Sequence, residues 1–298
     1  MRITNVHQLP AAIVEAVKND PYPHGKTGDI SATQLISPPQ LVALKRLHED
    51  DLEEDAADRI WALFGQSIHT ILERSEPSAI TECRLFGKRL HWTISGQADR
   101  IVALDAGTQR IRIEDYKTTS AWSVLEGPKP EWVDQLHVLQ WLAHQNGYQA
   151  EELAIIALLR DWSRGKALAG GGYPQAPVVT LRIPPLDIYH LNVWIGDLVA
   201  AHMRAQSAVS SGRAPQPCTP EQRWQQPDIW AVHTPTRKSA VKLHDTPAAA
   251  HAHAAELKNA YVVQRPGTAV RCASWTAPGL SGQPWSTGIL RPTSTASR

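Results

Sequence analysis

The chain has 298 residues and is nearly neutral, with 30 Lys and Arg residues, 29 Asp and Glu residues and a formal net charge of +1. Hydrophobic residues make up 42% of it, which is enough for a sizeable core in one large domain or two. A net charge close to zero gives no general attraction for a polyanion, so any basic surface must be local.

Cysteine usage and the first residues predict the compartment. The three cysteines, Cys83, Cys218 and Cys272, are far apart and form no Cys-x-x-Cys pair. This argues against a disulfide framework and against a four-cysteine zinc or iron–sulfur site. The N-terminus lacks the basic start and apolar run of a signal peptide, and no window approaches 18 apolar residues. We therefore expect a cytoplasmic protein with no membrane association.

The first quarter of the chain leads into a strong helix. Residues 1–30 are rich in turn formers and are expected to be a loop-rich segment. A Ser/Thr cap signal follows, and after Pro38 and Pro39 helical spacing resumes at Leu41. The best helical pattern in the chain covers 53–76 and carries an apolar stripe at helical spacing, made of Ile60, Phe64, Ile68, Ile71 and Leu72.

Strands dominate the next part of the sequence and alternate with two helices. The predicted strands lie at 79–86, 90–95, 97–104, 110–118, 151–162 and 176–183, and the predicted helices at 129–147 and 185–212. Both of these helices are closed by a glycine. The order predicts an α/β fold over residues 31–212, with a central sheet flanked by helices.

The composition changes after residue 212. The stretch 213–227 is rich in Pro, Gln and Arg and has the character of a linker. Beyond it the pattern predicts a small α+β appendage, with strands at 229–233, 240–244, 260–264 and 269–274 and a helix at 246–259. We therefore divide the chain into a loop-rich segment (1–30), an α/β domain (31–212) and a linker with its appendage (213–298).

The chain is rich in tryptophan, with 11 Trp residues against two Phe residues. Four of them lie in segments with a helical pattern: Trp61, Trp132, Trp141 and Trp194. Packing in the core is the expected role for most of them. A few could stack on nucleic-acid bases, but the sequence does not say which.

The strand at 110–118 changes character along one face. Side chains of a strand alternate between its faces, so Ile111, Ile113, Asp115 and Lys117 share the apolar face and Glu114 falls on the other. A buried carboxylate and ammonium are costly unless they are paired or bound to something. Taken alone, an Asp-x-Lys tripeptide is better explained as a strand end that emerges into solvent with a simple ion pair.

A second carboxylate precedes this strand. Asp99 lies shortly after Gly96 and 16 residues before Asp115, a separation that suits neighbouring strands of one hairpin. Two adjacent carboxylates repel each other unless a cation neutralises them, and hard oxygen donors suit Mg²⁺ or Mn²⁺. The alternative is that Asp99 is a turn residue paired with Arg100.

Two helical side chains complete the set of candidates. His69 lies beside the apolar stripe of its helix. Gly65 precedes it by one turn and would let another backbone approach closely, while Glu73 follows by one turn and is placed to orient the imidazole. Gln135 comes shortly after the Asp-x-Lys strand. Taken alone, each is an ordinary surface or core residue.

In the order Gly-x-x-x-His, Gly-x-x-Asp-Arg-Ile, Asp-Tyr-Lys-Thr and Gln-Leu, these motifs resemble the PD-(D/E)XK nuclease superfamily, in its RecB-like branch of phage-type exonucleases. The resemblance covers roughly residues 30–210 and implies a restriction-endonuclease-like mixed sheet flanked by helices. It implies that Lys117 is the catalytic lysine and that Gln135 contacts DNA or organises the site. It further implies that Mg²⁺ or Mn²⁺ is held by four groups: His69, Asp99, Asp115 and the backbone carbonyl of Tyr116.

The chain departs from the family pattern in two places. The family helix usually carries an aromatic residue four positions after the glutamine, where this chain has Leu139. Several RecB-like nucleases hold an iron–sulfur cluster with four cysteines, three of them near the C-terminus. This chain has only Cys272 in that region, so we expect no iron–sulfur cluster.

The chemistry of these residues suits phosphodiester hydrolysis, which needs an activated water and stabilisation of the developing charge. The most concentrated basic loop near the expected site holds Arg160, Arg164 and Lys166 and is expected to bind the DNA backbone. We therefore expect a divalent-metal-dependent deoxyribonuclease. The expected role is that of an exonuclease in phage or bacterial DNA recombination or repair, in the cytoplasm of a bacterium or a phage-infected host.

Several alternatives remain open. An endonuclease of the same fold would use the same residues. A non-catalytic DNA-binding recombination scaffold, or a structural α/β protein with accidental ion pairs, is disfavoured because neither needs the complete His, Asp and Asp-x-Lys set. The appendage carries basic residues that form a solvated surface by default, and otherwise a contact for DNA or a single-strand annealing protein: Arg237, Lys238, Lys242, Arg265 and Arg271. The sequence predicts no particular oligomeric state.

Overall fold

The computed structural model describes residues 2–19, 28–75 and 79–269. The chain forms two compact units, and the boundary between them falls between Pro215 and Gln216. The last predicted strand, at 269–274, lies almost entirely outside the described residues, and with it Arg271 and Cys272.

Helices and strands alternate along the described part of the chain. The helices are α1 (Ala11–Lys18), α2 (Ala32–Leu35), α3 (Pro39–Leu47), α4 (Ile60–Glu73), α5 (Pro130–Gln145), α6 (Arg164–Ala169), α7 (Ile188–Ser210) and α8 (Pro247–Ala255). The strands are β1 (Arg2–Thr4), β2 (Ile30–Ser31), β3 (Glu53–Asp55), β4 (Ile80–Arg89), β5 (Trp92–Ala103), β6 (Arg110–Thr119), β7 (Gln149–Leu159), β8 (Val178–Ile183), β9 (Ile229–His233), β10 (Lys242–His244) and β11 (Tyr261–Arg265).

The first unit is built on a mixed sheet of six strands in which β5 is the branch point. β4 pairs antiparallel with one edge of β5, while the other edge pairs first with β2, in parallel, and then with β6, antiparallel. β6 pairs in parallel with β7, which pairs antiparallel with β8. This mixed central sheet, flanked by helices, confirms the predicted restriction-endonuclease-like α/β fold.

Helix α5 connects the two parallel strands and fixes one side of the core. Parallel neighbours need a crossover connection, and α5 supplies it between β6 and β7. Its residues Leu136, Val138, Leu139 and Leu142 have no exposed surface. Because this face of α5 packs against the sheet, Gln135, which is next to Leu136 in the helix, is held above the strands.

Strand β5 replaces two predicted strands, at 90–95 and 97–104, that the sequence pattern separates at Gly96. The glycine lies inside the strand because α5 packs directly on it. A Cβ added at Gly96 would lie 2.6 Å from Leu142 Cδ1 and 2.8 Å from Leu139 Cδ2. The absent side chain therefore marks a close approach of helix and strand, and the predicted break between strands is wrong. Leu139, four residues after Gln135, is part of this contact.

The N-terminal region is more regular than predicted. The expected loop-rich segment contains α1, because Val14 and Val17 lie one turn apart and are both buried with Ala56. The strong helix begins at Ile60, later than its pattern predicts, because the preceding residues form β3, which pairs with β1, and a short 3₁₀ turn.

The second unit is a small α+β arrangement. Its described residues form a three-stranded antiparallel sheet in the order β10–β9–β11, together with α8. Its buried apolar side chains, among the residues described, include Cys218, Ala231, Val232 and Ala250. In neither unit does a helix of the described residues have the length and apolar character needed to cross a membrane.

Candidate active site

The candidate site lies where strands β5 and β6 separate. Their antiparallel ladder runs from Ala103 and Ile111 to Arg100 and Glu114 and ends there. The next residue on each strand is an aspartate, Asp99 on β5 and Asp115 on β6. The predicted neighbourhood of the two carboxylates is thus confirmed, and the end of the ladder opens a gap between their strands.

Asp99 is held in this gap by a backbone contact. Its side chain is 8% exposed, and Oδ2 accepts a hydrogen bond of 2.7 Å from the backbone N–H of Tyr116. A side-chain oxygen therefore satisfies an amide that has left the ladder. Asp99 is a strand residue, not the turn residue of the alternative interpretation. Arg100 pairs instead with Glu114, on the other face of the sheet.

Asp115 is enclosed by Lys117 and Gln135. Its side chain is 1% exposed, Lys117 Nζ lies 2.7 Å from Oδ2, and Gln135 Nε2 donates to Oδ1 at 3.0 Å. The glutamine oxygen accepts from Lys117 Nζ at 3.0 Å, which closes a three-membered polar cluster. Burial raises the pKa of Asp115, and so does the Asp99 carboxylate, while the charge of Lys117 opposes both.

His69 faces the same gap from helix α4. Its Nδ1 lies 3.5 Å from Asp99 Oδ1 and 3.6 Å from Glu82 Oε1. Contact with Asp99, and then with Glu82, raises the pKa of His69 to about 10, against the opposing effect of burial. A proton on the imidazole thus balances two carboxylates, and a cation bound between them would take over that role.

Glu82 is the residue that sequence reasoning misses. The sequence points to Glu73 as the partner of His69, but Glu73 is exposed and the carboxylate beside the ring comes from β4. In the hairpin register Thr81 faces Arg100 and Cys83 faces Ala98, so Glu82 lies opposite Asp99. It has a positive φ of 49°, a conformation that is costly for a non-glycine residue and that clusters at functional sites. No signal in the sequence reveals this before the register is known.

Three donor groups are close enough to share one metal ion. His69, Glu82 and Asp99 each offer a ligand atom, and these atoms all lie within 4.8 Å of one another. One imidazole nitrogen and carboxylate oxygens suit a divalent cation such as Mn²⁺ or Mg²⁺. Asp115 is not in this group. Its buried Oδ2 lies beside the Lys117 ammonium but accepts no well-directed hydrogen bond from the described residues. The donor set therefore fits a metal, with Asp115 placed next to it.

Gly65, Glu114 and Tyr116 are the remaining residues that the sequence analysis discusses near the site. An added Cβ at Gly65 meets nothing within 4 Å among the described residues, so the close backbone approach expected there is wrong. Glu114 lies on the opposite face from Asp115, in ion pairs with Arg100 and Arg112. The rings of His69 and Tyr116 meet edge to face at 6.1 Å.

The predicted basic loop begins at the end of β7. Arg160 N donates to the carbonyl of Thr119 at 2.9 Å, so the loop starts beside the end of the strand that carries Asp115 and Lys117. Arg160, Arg164 and Lys166 are all exposed. The Arg160 guanidinium lies over the Trp61 ring of α4, with its Cζ 4.1 Å from the ring centroid.

Residues 38–168 match the PD-(D/E)XK nuclease superfamily. The matched range includes the whole of α4, β4, β5, β6 and α5, and so covers every residue of the candidate site. It suggests a metal-dependent nuclease that hydrolyses phosphodiester bonds.

Two solved structures resemble the chain at low sequence identity. SSO0001 is 19% identical, with a TM-score of 0.45, and the likeness covers 63% of this chain and 83% of that one. LHK-Exo, solved in complex with dAMP, is 15% identical, with a TM-score of 0.37 and coverage of 61% and 92%. Both TM-scores are below 0.5, so neither likeness bears on function. A comparison with curated protein sequences gives no significant match.

Proposed function

We propose that the chain is a deoxyribonuclease that uses Mg²⁺ or Mn²⁺ to hydrolyse phosphodiester bonds. The observation that carries the proposal is the meeting of two groups where β5 and β6 separate: the donors His69, Glu82 and Asp99, and the Asp115–Lys117–Gln135 cluster. A structural ion pair needs neither the histidine nor the second and third carboxylates. The superfamily match over the same residues supports the proposal.

The metal is proposed to be held by His69, Glu82 and Asp99, with Asp115 and the backbone carbonyl of Tyr116 completing its surroundings. When bound, a divalent ion there polarises the phosphate and lowers the pKa of a coordinated water. Because one donor is an imidazole nitrogen, Mn²⁺ should bind more tightly than Mg²⁺.

Lys117 is proposed to stabilise the negative charge that develops on the non-bridging phosphate oxygens. Its side chain is 22% exposed, and its ammonium makes two contacts, with Asp115 Oδ2 at 2.7 Å and with Gln135 Oε1 at 3.0 Å. A cation held in place before the reaction loses no free energy to reorganisation when the charge appears. Gln135 orients both Lys117 and Asp115, and acts as a positioning residue.

The exonuclease assignment rests on the resemblance to RecB-like, phage-type enzymes. In this proposal the protein degrades DNA from an end during phage or bacterial recombination or repair, in the cytoplasm, and hands the remaining strand to a single-strand annealing protein. Arg160, Arg164 and Lys166 bind the DNA backbone. An endonuclease with the same site remains the alternative.

One assay tests the activity and separates these modes. Linear and circular DNA, single- and double-stranded, are incubated with the protein and Mg²⁺ or Mn²⁺. We expect cleavage that EDTA abolishes and that Lys117→Ala and Asp115→Asn reduce by roughly 100-fold or more. The matched controls are the exposed positions Lys45→Ala and Asp197→Asn, which should cleave like the wild type.

The outcome for circular DNA distinguishes the two modes. Degradation of linear DNA alone indicates an exonuclease, and nicking or linearisation of circles indicates an endonuclease. Binding of DNA without cleavage under any of these conditions would identify a scaffold. Cleavage by Lys117→Ala at the wild-type rate would refute the proposed catalytic site.

A further inference from the structure

Trp61 differs in exposure from the other three tryptophans that lie in segments with a helical pattern. Trp132 and Trp141 are buried in the core, at 8% and 1% exposure, and Trp194 packs against it. Trp61 is 60% exposed and so contributes little to folding. An indole is the largest apolar side chain, and an exposed one beside a candidate active site is available to a ligand.

The exposed ring is held in a defined position by its neighbours. The Arg160 guanidinium lies 4.1 Å from the centroid of the Trp61 ring, and Phe64 meets it edge to face at 6.3 Å. Arg160 is exposed, and among the described residues no carboxylate forms an ion pair with it. The pair thus combines an aromatic surface with an uncompensated cation.

This pair and the candidate metal site lie along one side of α4. Trp61, Gly65 and His69 are spaced by four residues, so each is rotated by only about 40° from the last, and the series spans about 12 Å. A Cβ added at Gly65 would meet nothing within 4 Å in the part of the chain that the structure describes, so these residues leave open the side of the helix between the indole and the imidazole. Arg160 borders the same region, since its amide bonds to Thr119 at the end of β6.

We propose that Trp61 and Arg160 form a platform that binds an unpaired segment of the substrate strand, with a base stacked on the indole and a phosphate bound by the guanidinium. The platform rests on the proposed nuclease function and names the form of nucleic acid that the site takes. The strand runs from the platform over Gly65 to the metal site. Unpaired bases expose the faces that stack on aromatic side chains, whereas duplex DNA conceals them.

The charges at this surface favour nucleic acid over a protein partner. Arg164 and Lys166 follow Arg160 in the chain and are also exposed, so the segment that contacts the indole through Arg160 carries three cations that suit a phosphate backbone. A second copy of the chain would instead be expected to cover Phe64 and Ile71. These residues are 44% and 61% exposed and lie two turns apart on a neighbouring stripe of α4. Ile71 is therefore a matched control for Trp61.

The test is the affinity for a single-stranded oligonucleotide, measured by fluorescence anisotropy in EDTA so that no cleavage occurs. We expect Trp61→Ala to weaken binding by roughly tenfold and Trp61→Phe to recover most of it, because phenylalanine also stacks. Arg160→Gln should weaken binding and reduce its dependence on salt. Ile71→Ala should bind like the wild type. A duplex of the same length should be affected less than the single strand.

A second variant tests the path between platform and site. Gly65→Leu fills open space on a helix surface, so it should leave the protein folded and at least as stable as the wild type. If the strand crosses this surface, the same variant weakens oligonucleotide binding. Wild-type affinity in Gly65→Leu would overturn the proposed path.

Other outcomes separate the platform from the nuclease function. If the wild type cleaves DNA and Asp115→Asn does not, but Trp61→Ala binds the oligonucleotide like the wild type, the platform is refuted and the nuclease function stands. Equal losses in Trp61→Ala and Ile71→Ala would also refute the platform. A changed sedimentation coefficient of Trp61→Ala with unchanged oligonucleotide affinity would also refute the platform, because the surface around Trp61 would then be an interface between copies of the chain. If the wild type neither binds nor cleaves nucleic acid, the proposed function itself fails.

Discussion

Replacing Gly96 by alanine tests how strand β5 and helix α5 together hold the candidate site. The new Cβ would lie 2.6 Å from Leu142 Cδ1 and 2.8 Å from Leu139 Cδ2, against about 3.5–4.0 Å for an ordinary carbon contact. The overlap is therefore roughly 1 Å with two side chains that have no exposed surface. Overpacking of this kind costs about 1–3 kcal/mol, and alanine regains about 0.5–1 kcal/mol of backbone entropy over glycine. We expect a net loss of about 1–2 kcal/mol in the free energy of unfolding.

The same substitution should lower activity beyond its effect on stability. Leu139 and Leu142 belong to the helix that carries Gln135, whose two contacts with Asp115 and Lys117 are each 3.0 Å long. A helix displaced by about 1 Å would stretch both contacts, and misplacement on that scale can reduce the rate about 100-fold.

The stability change is measured by urea unfolding followed by tryptophan fluorescence, and cleavage is measured at a temperature where the variant is fully folded. Gly165→Ala is the control, because within the described ranges its Cβ would meet only Ser163 Oγ, at 3.8 Å. The control should be as stable as the wild type or more so. A Gly96→Ala protein with wild-type stability and activity would refute this account of the packing.

Three further predictions concern the metal donors, a buried histidine and an ion-pair network. Mn²⁺ at about 100 times its dissociation constant should stabilise the protein by about 2.7 kcal/mol and so raise its melting temperature. Glu82→Gln should reduce this rise, and a rise equal to that of the wild type would exclude Glu82 as a ligand. Burial lowers the pKa of His202, outweighing its bond to the Leu35 carbonyl. Its folded-state pKa is thus below the unfolded value of about 6.5, and its contribution to stability is present above that pH and lost as the pH falls. His202→Gln should flatten this part of the stability–pH curve in urea titrations, and an unchanged slope would contradict the assignment. Glu114→Gln should cost about 2 kcal/mol because Arg100 and Arg112 lose the partly buried carboxylate that they share, and wild-type stability would show that these pairs contribute nothing.

The sequence alone predicts a feature correctly where that feature depends only on the periodicity of one strand or helix. The two-residue alternation of β6 places Asp115 and Lys117 on the face of Ile111 and Ile113, and the structure has them there. The hairpin separation of Asp99 and Asp115 is likewise readable, because a short connection between strands leaves little choice of partner. The helix that carries His69 and the helix that carries Gln135 follow from their 3.6-residue spacing.

Features that depend on the register between strands, or on how a helix packs on the sheet, cannot be predicted from local periodicity. Glu82 lies opposite Asp99 only because β4 pairs with β5 in one register, and a shift of one residue would turn its side chain to the other face. Gly96 resembles a break between strands, whereas its role is set by leucines of α5, a helix that comes much later in the chain.

The burial of residues in helix α4 is likewise not predictable from its sequence. Its apolar stripe gives no sign that Phe64 and Ile71 remain exposed, or that Trp61 lies under an arginine from the end of β7. A periodic pattern determines which residues share a face, because backbone geometry fixes the direction of each side chain. It does not determine what that face meets. Contacts between distant segments depend on how strands pair and helices dock, and only the tertiary structure decides that.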